Sequence, residues 1–247
     1  MPPQQTQGLK RKLSQYGFSE LGNTTVMVQV GAEAEAFSVH DTLLCSRSKF
    51  FAVALNGKWK ESDDRIIKLP DDDPNVFRDY VAHLYFGKPS LDHYRPSNAP
   101  ADYNAVSKLY VFAEKMQDPQ CKNDITDWML ATVNPKEGDM LYYPAPSSIR
   151  TFYSGTLASS PARRLLVDMF TNHTVGSWLK DRNLDEFPVE FIWDLAVCMG
   201  QFRPLPSYDP LKRVGTKRYH EPVNQESRKE NNETHTHELS PINGPST

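Results

Sequence analysis

Thr25 to Val30, TVMVQV, alternates Val26, Val28 and Val30 with Met27 and Gln29. That period of two is the mark of a half-buried strand. Gly31 and Ala32 can turn the chain, and Phe37 and Val39 resume the alternation, so the segment reads as a hairpin. Helical periods follow. Asp41 is placed to cap a short helix through Cys45, and Ser48 to cap a second through about Asn56, with Gly57 as its stop. In SKFFAVALNG the residues Phe50, Phe51, Val53, Ala54 and Leu55 leave no polar face, so this helix is expected in the core or at an interface.

Asp73-Pro74 joins an acidic cap to a proline at the first helical position. Behind it Val76, Phe77, Tyr80, Val81, Leu84 and Tyr85 lie on one face, up to a stop at Gly87 and Pro89. Leu91 to Pro100 reads as a loop. The next helix carries Tyr103, Val106, Leu109, Tyr110, Ala113 and Met116. Asp118-Pro119 opens another, with Ile125, Trp128 and Met129 inward. Asn134 to Pro146 is a connector rich in breakers, in which Met140, Leu141, Tyr142 and Tyr143 are expected to pin the chain to the domain. Two or three more helices follow. One carries Ile149, Phe152 and Tyr153. Pro161 opens the next, with Leu165, Leu166, Met169 and Phe170. Pro188 opens the last, with Phe191, Ile192, Leu195, Ala196 and Met199 inward. Beyond Arg203 the chain is polar and proline-rich, too poor in apolar residues to offset the cost of ordering it.

The ordered pieces resemble a BTB (POZ) domain. The carriers are Val39-His40, Leu43-Leu44, Ser46-Arg47-Ser48 and Phe50-Phe51, then Gly57-Lys58-Trp59-Lys60-Glu61-Ser62. Arg65 to Leu69, which looks like the family's third strand, Asp72-Asp73-Pro74 running to Leu84-Tyr85-Phe86-Gly87, and Lys108 to Gln117 complete the series in order. Downstream, Ser148-Ile149-Arg150, Thr151-Phe152-Tyr153 and Pro161 to Asp168 are similar to the helical extension of filamentous-fungal BTB proteins. The resemblance implies an α+β fold: a small three-stranded sheet flanked by short helices, then an all-helical extension and a disordered tail. The expected divisions are a flexible N-terminus at 1–21, the BTB/POZ domain at 22–130, the helical extension at 131–203 and the tail at 204–247.

The composition narrows the function. A net charge of −3 over 247 residues is too mild to argue for nucleic acid or an anionic membrane. No apolar run is long enough to span a bilayer. The basic N-terminus has no apolar stretch behind it, so no signal peptide is expected. The three cysteines, Cys45, Cys121 and Cys198, are widely spaced among apolar residues and suit buried free thiols in the cytoplasm or nucleus. The sequons at Asn23, Asn172 and Asn232 are therefore expected to stay unglycosylated. Only 12 glycines occur and they never cluster, so no phosphate loop is present. There is no nucleophile elbow, no HExxH and no CxxC. The expectation is a protein with no catalytic residue, no metal, no cofactor and no small-molecule substrate, which acts by binding other proteins. His40 is expected to hydrogen-bond backbone at the strand-to-helix junction.

Trp59-Lys60-Glu61 is the candidate partner-binding motif. In BTB proteins that serve as adaptors for cullin-type ubiquitin ligases, a hydrophobic-x-Glu motif fills this loop and touches the cullin. The resemblance makes Trp59 the anchor and Glu61 its polar companion; the alternative is that Trp59 folds back on its own helix layer. The basic pairs Lys212-Arg213 and Lys217-Arg218 are the candidates for nuclear import, which belongs to a second reading. In it the chain is a nuclear or transcriptional regulator that uses the BTB domain to oligomerise. Corepressor-binding members carry an Asp at the first strand and a basic residue just after the His; here those positions are Thr25 and Asp41. Homodimerisation stays open, because Leu9 to Leu21 is short for an exchanged helix.

Overall fold

A computed structural model of the chain describes residues 21–57, 64–95, 100–133, 142–173 and 183–202. Strand β1 (Thr25–Val30) is the centre of a three-stranded sheet of order β2-β1-β3. It pairs antiparallel with β2 (Glu35–His40), Val26 opposite Val39 and Val28 opposite Phe37. It pairs parallel with β3 (Ile66–Leu69), Val28 beside Ile67 and Val30 beside Leu69. Both registers put valines, Ile67 and Leu69 on one face, where all are buried, and leave Met27 42% exposed on the other. Alternation therefore fixes which side of the sheet receives helices. Gly31 holds φ +77° in the β1–β2 turn, and a Cβ there would stand 3.0 Å from Pro74 Cγ. Only glycine suits both the backbone and the gap.

Helix α1 (Asp41–Arg47) differs from its predicted form. Asp41 is its first residue rather than its cap, and it runs two residues past Cys45. Serine 48 behaves as its sequence context predicts. Ser48 Oγ accepts from Phe51 N–H at 3.2 Å to cap α2 (Lys49–Ala54), and donates to the Met116 carbonyl at 2.5 Å. Asp73 caps α3 (Pro74–Phe86) by accepting from Asn75 N–H at 2.9 Å. Phe77, Tyr80 and Leu84 are buried along α3, and Phe112 meets the rings of Phe77 and Tyr80 at 5.9 and 5.2 Å.

Of the loop predicted over Leu91 to Pro100, Leu91 to Tyr94 is instead the second half of a 3-10 helix, Lys88–Tyr94. Pro89 stops an α-helix but fits the first turn of a new one. This helix buries Leu91 and Tyr94, whose hydroxyl donates to Asp79 at 2.5 Å. Helix α4 (Tyr103–Lys115), capped by Asp102, and helix α5 (Pro119–Val133) enclose the core as their periods predict. Of the connector's pinning residues, Tyr142 and Tyr143 pack half-buried on the core, and Tyr103 Oη donates to the Tyr142 carbonyl at 3.1 Å. Met140 and Leu141 lie outside the described residues.

Helices α6 (Pro146–Gly155), α7 (Pro161–His173) and α8 (Val189–Phe202) complete the described chain, with a 3-10 turn at Leu184–Glu186 before α8. Phe152 of α6 stacks edge-on with Tyr110 of α4 at 5.4 Å. Phe191 of α8 meets Phe170 at 5.3 Å and Tyr153 at 5.7 Å. One apolar cluster thus runs from the sheet through α4 into the last helices. Ala196, predicted inward, faces solvent. Residues 1–20 and 203–247, expected to be flexible, lie outside the described residues. No described helix is long and apolar enough to cross a membrane.

Candidate functional site

Trp59, Lys60 and Glu61 lie outside the described residues, as do Lys212, Arg213, Lys217 and Arg218. What is described is the helix that precedes the first three in sequence, α2 (Lys49–Ala54). Ser48 ties the start of α2 to the Met116 carbonyl, and Phe50 N–H reaches the same oxygen at 3.4 Å. Phe51 fills the core, whereas Phe50, Ala54 and Leu55 are half-buried and Val53 is 47% exposed. The helix therefore splits its apolar residues between core and surface. Val53 stands six positions before Trp59 in sequence.

Four positions after Glu61 in sequence, Arg65 holds φ +50°. Its Nη2 donates to Asp41 Oδ2 at 2.6 Å, and its Nε donates to the Thr25 carbonyl at 3.1 Å. Thr24 Oγ1 also donates to Asp41, at 2.9 Å. Burial would raise the Asp41 carboxyl, but the hydrogen bonds from Arg65, Thr24 and the Thr42 N–H outweigh it and hold the group below the usual carboxylate value. This explains why Asp41 is not a cap: its carboxylate is drawn to the β3 end. His40 also departs from expectation. Its Nδ1 meets Tyr85 Oη at 2.6 Å, so its partner is a side chain of α3 and not backbone. Tyr85 Oη accepts the His40 N–H at 3.3 Å, which leaves its own proton for Nδ1.

Sequence reasoning missed the main polar feature. His83 is fully buried on the apolar face of α3, one position before Leu84. Arg47 Nη2 stands 3.3 Å from His83 Nδ1, and His83 Nε2 stands 3.1 Å from Asp124 Oδ2. A neutral ring satisfies both contacts, accepting from Arg47 at Nδ1 and donating from Nε2. Arg47 also pairs with Asp118 at 3.3 Å, and Asp118 accepts from Tyr80 Oη at 3.1 Å and Cys121 N–H at 2.9 Å. Gln120 Nε2 donates to Asp124 at 3.0 Å. The set ties the end of α1 to α3 and α5. The available signal was a histidine at helical spacing from Tyr80, on a stripe otherwise apolar.

Burial lowers the His83 pKa, and the neighbouring Arg47 charge lowers it further; Asp124 and Asp118 only partly oppose them. Below the ordinary value of 6.5 the unfolded chain gains a proton that the folded chain refuses. Stability therefore falls as pH drops from 6.5 towards the lower folded-state value, by up to about 1.4 kcal/mol per pH unit, and this loss ends below that value. The urea midpoint is expected to be flat from about pH 8 to 7 and to fall between about pH 6.5 and 5. His83→Gln should remove that fall. A fall of equal size in the variant would assign it to other groups.

Two open grooves occur among the described residues. One, of about 440 Å³, lies between the 3-10 helix and α5 and is lined by Leu91, Arg95, Asp124 and Trp128. Its Lys88 is paired with Asp127 and stands 3.7 Å from Asp124. The other, of about 510 Å³, lies beside the start of α8. Its Arg150 donates to the carbonyls of Asp185 and Glu186, and its Arg163 to that of Tyr153. The bases of both grooves are engaged by the protein itself. Among the described residues no group of His, Cys, Asp and Glu could hold a metal ion.

The sheet, the capped α2 and the α3–α5 layer supply the geometry that the resemblance called for. Residues 18–124 match the family model of the BTB/POZ domain. Domains of this family mediate binding to other proteins and self-association. With its three-stranded sheet and flanking helices, the chain carries a BTB/POZ domain over residues 18–124, a protein–protein interaction module, and a further helical region follows it in sequence.

Proposed function

We propose that this protein is a substrate adaptor for a cullin-type ubiquitin ligase, of the filamentous-fungal BTB type. The BTB half, residues 22–130, docks the scaffold through the segment that holds Trp59, Lys60 and Glu61. The helical extension, 131–203, and the tail, 204–247, present the second partner. The observation that carries the reading is the apolar ledge of α2, which Ser48 clamps onto the Met116 carbonyl and which keeps Val53 in solvent, six positions before Trp59 in sequence. A rigid apolar ledge close in sequence to a tryptophan suits a docking hot spot, because little side-chain freedom is lost on binding. Asp41 supports it from the other direction. The position that is basic in corepressor-binding members is acidic here, and its charge is taken up by Arg65.

The test is titration of the full chain with cullin N-terminal domains, read by calorimetry. Trp59→Ala and Glu61→Ala are each expected to weaken binding at least about tenfold, close to 1.4 kcal/mol. Unchanged affinity in both variants removes the site, and no binding to any cullin removes the reading.

A further inference from the structure

Helix α8 is apolar on both faces. Its inner face buries Phe191 and Leu195 against α6 and α7. Its outer face carries Val189 (80% exposed), Trp193 (69%), Ala196, Val197 (44%) and Gly200, all open to solvent. Val189, Trp193, Ala196 and Gly200 are spaced four, three and four apart. That is the seam of a two-helix coiled coil, in which every fourth and third residue meets a facing helix. The helix has two charged residues, Glu190 and Asp194, and Asp194 accepts from Tyr153 Oη at 2.9 Å, which draws it away from the seam. A helix apolar all round is a helix covered all round.

Gly200 sharpens the argument. A glycine inside a helix costs about 1 kcal/mol relative to alanine. Nothing among the described residues asks for it: its φ is not positive, and a Cβ there would meet none of them within 4 Å. Its use lies in admitting something from outside. Seven residues earlier on the same stripe stands the largest exposed side chain of the helix, Trp193.

We infer that the outer face of α8 binds α8 of a second copy, antiparallel, about a two-fold axis at Ala196 and Val197. In that register each Trp193 lies over the Gly200 notch of the other copy, and Ala196 packs against Val197. The large-to-small fit is reciprocal, as an isologous interface demands. The seam holds no charge that would select a different helix. The exposed side chains would bury roughly 900 Å² in total, the size of a weak, reversible association. The inference does not depend on the cullin reading.

Sedimentation equilibrium of the full chain, from about 1 to 200 μM, tests it. The expected result is a micromolar monomer–dimer equilibrium. Trp193→Glu is expected to weaken it by about thirtyfold and Gly200→Leu, which fills the notch, by about tenfold. Gly200→Ala serves as the folding control. It should raise the melting temperature, since its methyl enters open space, and still weaken the dimer. A full chain that stays monomeric throughout overturns the inference, and leaves the face to another occupant such as residues 203–247. A dimer insensitive to both Trp193→Glu and Gly200→Leu also overturns it, because association then runs through another surface.

Discussion

Asp118→Ala is expected to cost about 3–5 kcal/mol, the combined cost of a partly buried guanidinium left without its partner, an unpaired buried hydroxyl and a lost helix cap. Asp118 is fully buried. Its carboxylate answers three donors at once: Tyr80 Oη at 3.1 Å, Arg47 Nη2 at 3.3 Å and the Cys121 N–H at 2.9 Å, which caps α5. Alanine leaves the guanidinium uncompensated, the tyrosine hydroxyl unpaired and the cap empty. Burial and the Asp118 charge both push the Tyr80 hydroxyl up, so it stays a donor at any working pH and cannot relieve the site by ionising. Asp118→Asn is the informative companion. It can still accept at one oxygen, so its cost should be smaller, and the difference reports the charge. Urea denaturation at about pH 7.5 measures both, with the slope m unchanged if only the folded state is affected. A loss under about 1 kcal/mol for Asp118→Ala would mean that Arg47 finds water instead, and that the α1–α3–α5 tie is not what holds this layer.

That tie shows where sequence reading stops. Local rules worked where the causes were local. Asp73-Pro74 and Ser48 named their helix starts because a cap and its N–H lie two or three residues apart. The valines of β1 named the buried face because the pleat has a period of two. The Arg47–Asp118 pair spans 71 residues, and Arg47 to His83 spans 36. No window along the chain contains both ends. A polar residue on an apolar stripe reads as a gap unless its partner is known. Asp41 failed for the same reason, since a local cap lost to Arg65, 24 residues on. In α8 the counting of one buried stripe hid the fact that the opposite stripe is apolar too. The motif with the clearest functional meaning, Trp59-Lys60-Glu61, owes that meaning to family resemblance and lies outside the described residues.

Gly155→Ala is expected to destabilise the protein by about 2–3 kcal/mol, although alanine is the better helix former by about 1 kcal/mol. Gly155 ends α6 where that helix crosses α4. A Cβ at Gly155 would stand 2.9 Å from Val111 Cβ and closer still to both its methyls. Val111 is β-branched and held in a helix, so its methyls cannot swing aside. The helices must part, and Phe152 then loses its edge-on contact with Tyr110 at 5.4 Å. If this account holds, Val111→Ala in the Gly155→Ala background recovers most of the loss. The double-mutant cycle then shows a coupling well above the few tenths of a kcal/mol expected for independent sites. A stabilising or neutral Gly155→Ala would mean that the two helices slide freely. The same variant tests cooperativity. Helix α4 lies within the matched segment 18–124 and α6 beyond it, yet one apolar cluster joins them. The natural chain should therefore give coincident transitions by far-ultraviolet circular dichroism and by tryptophan fluorescence, whereas in Gly155→Ala the helices after Pro146 should loosen first and pull the two curves apart.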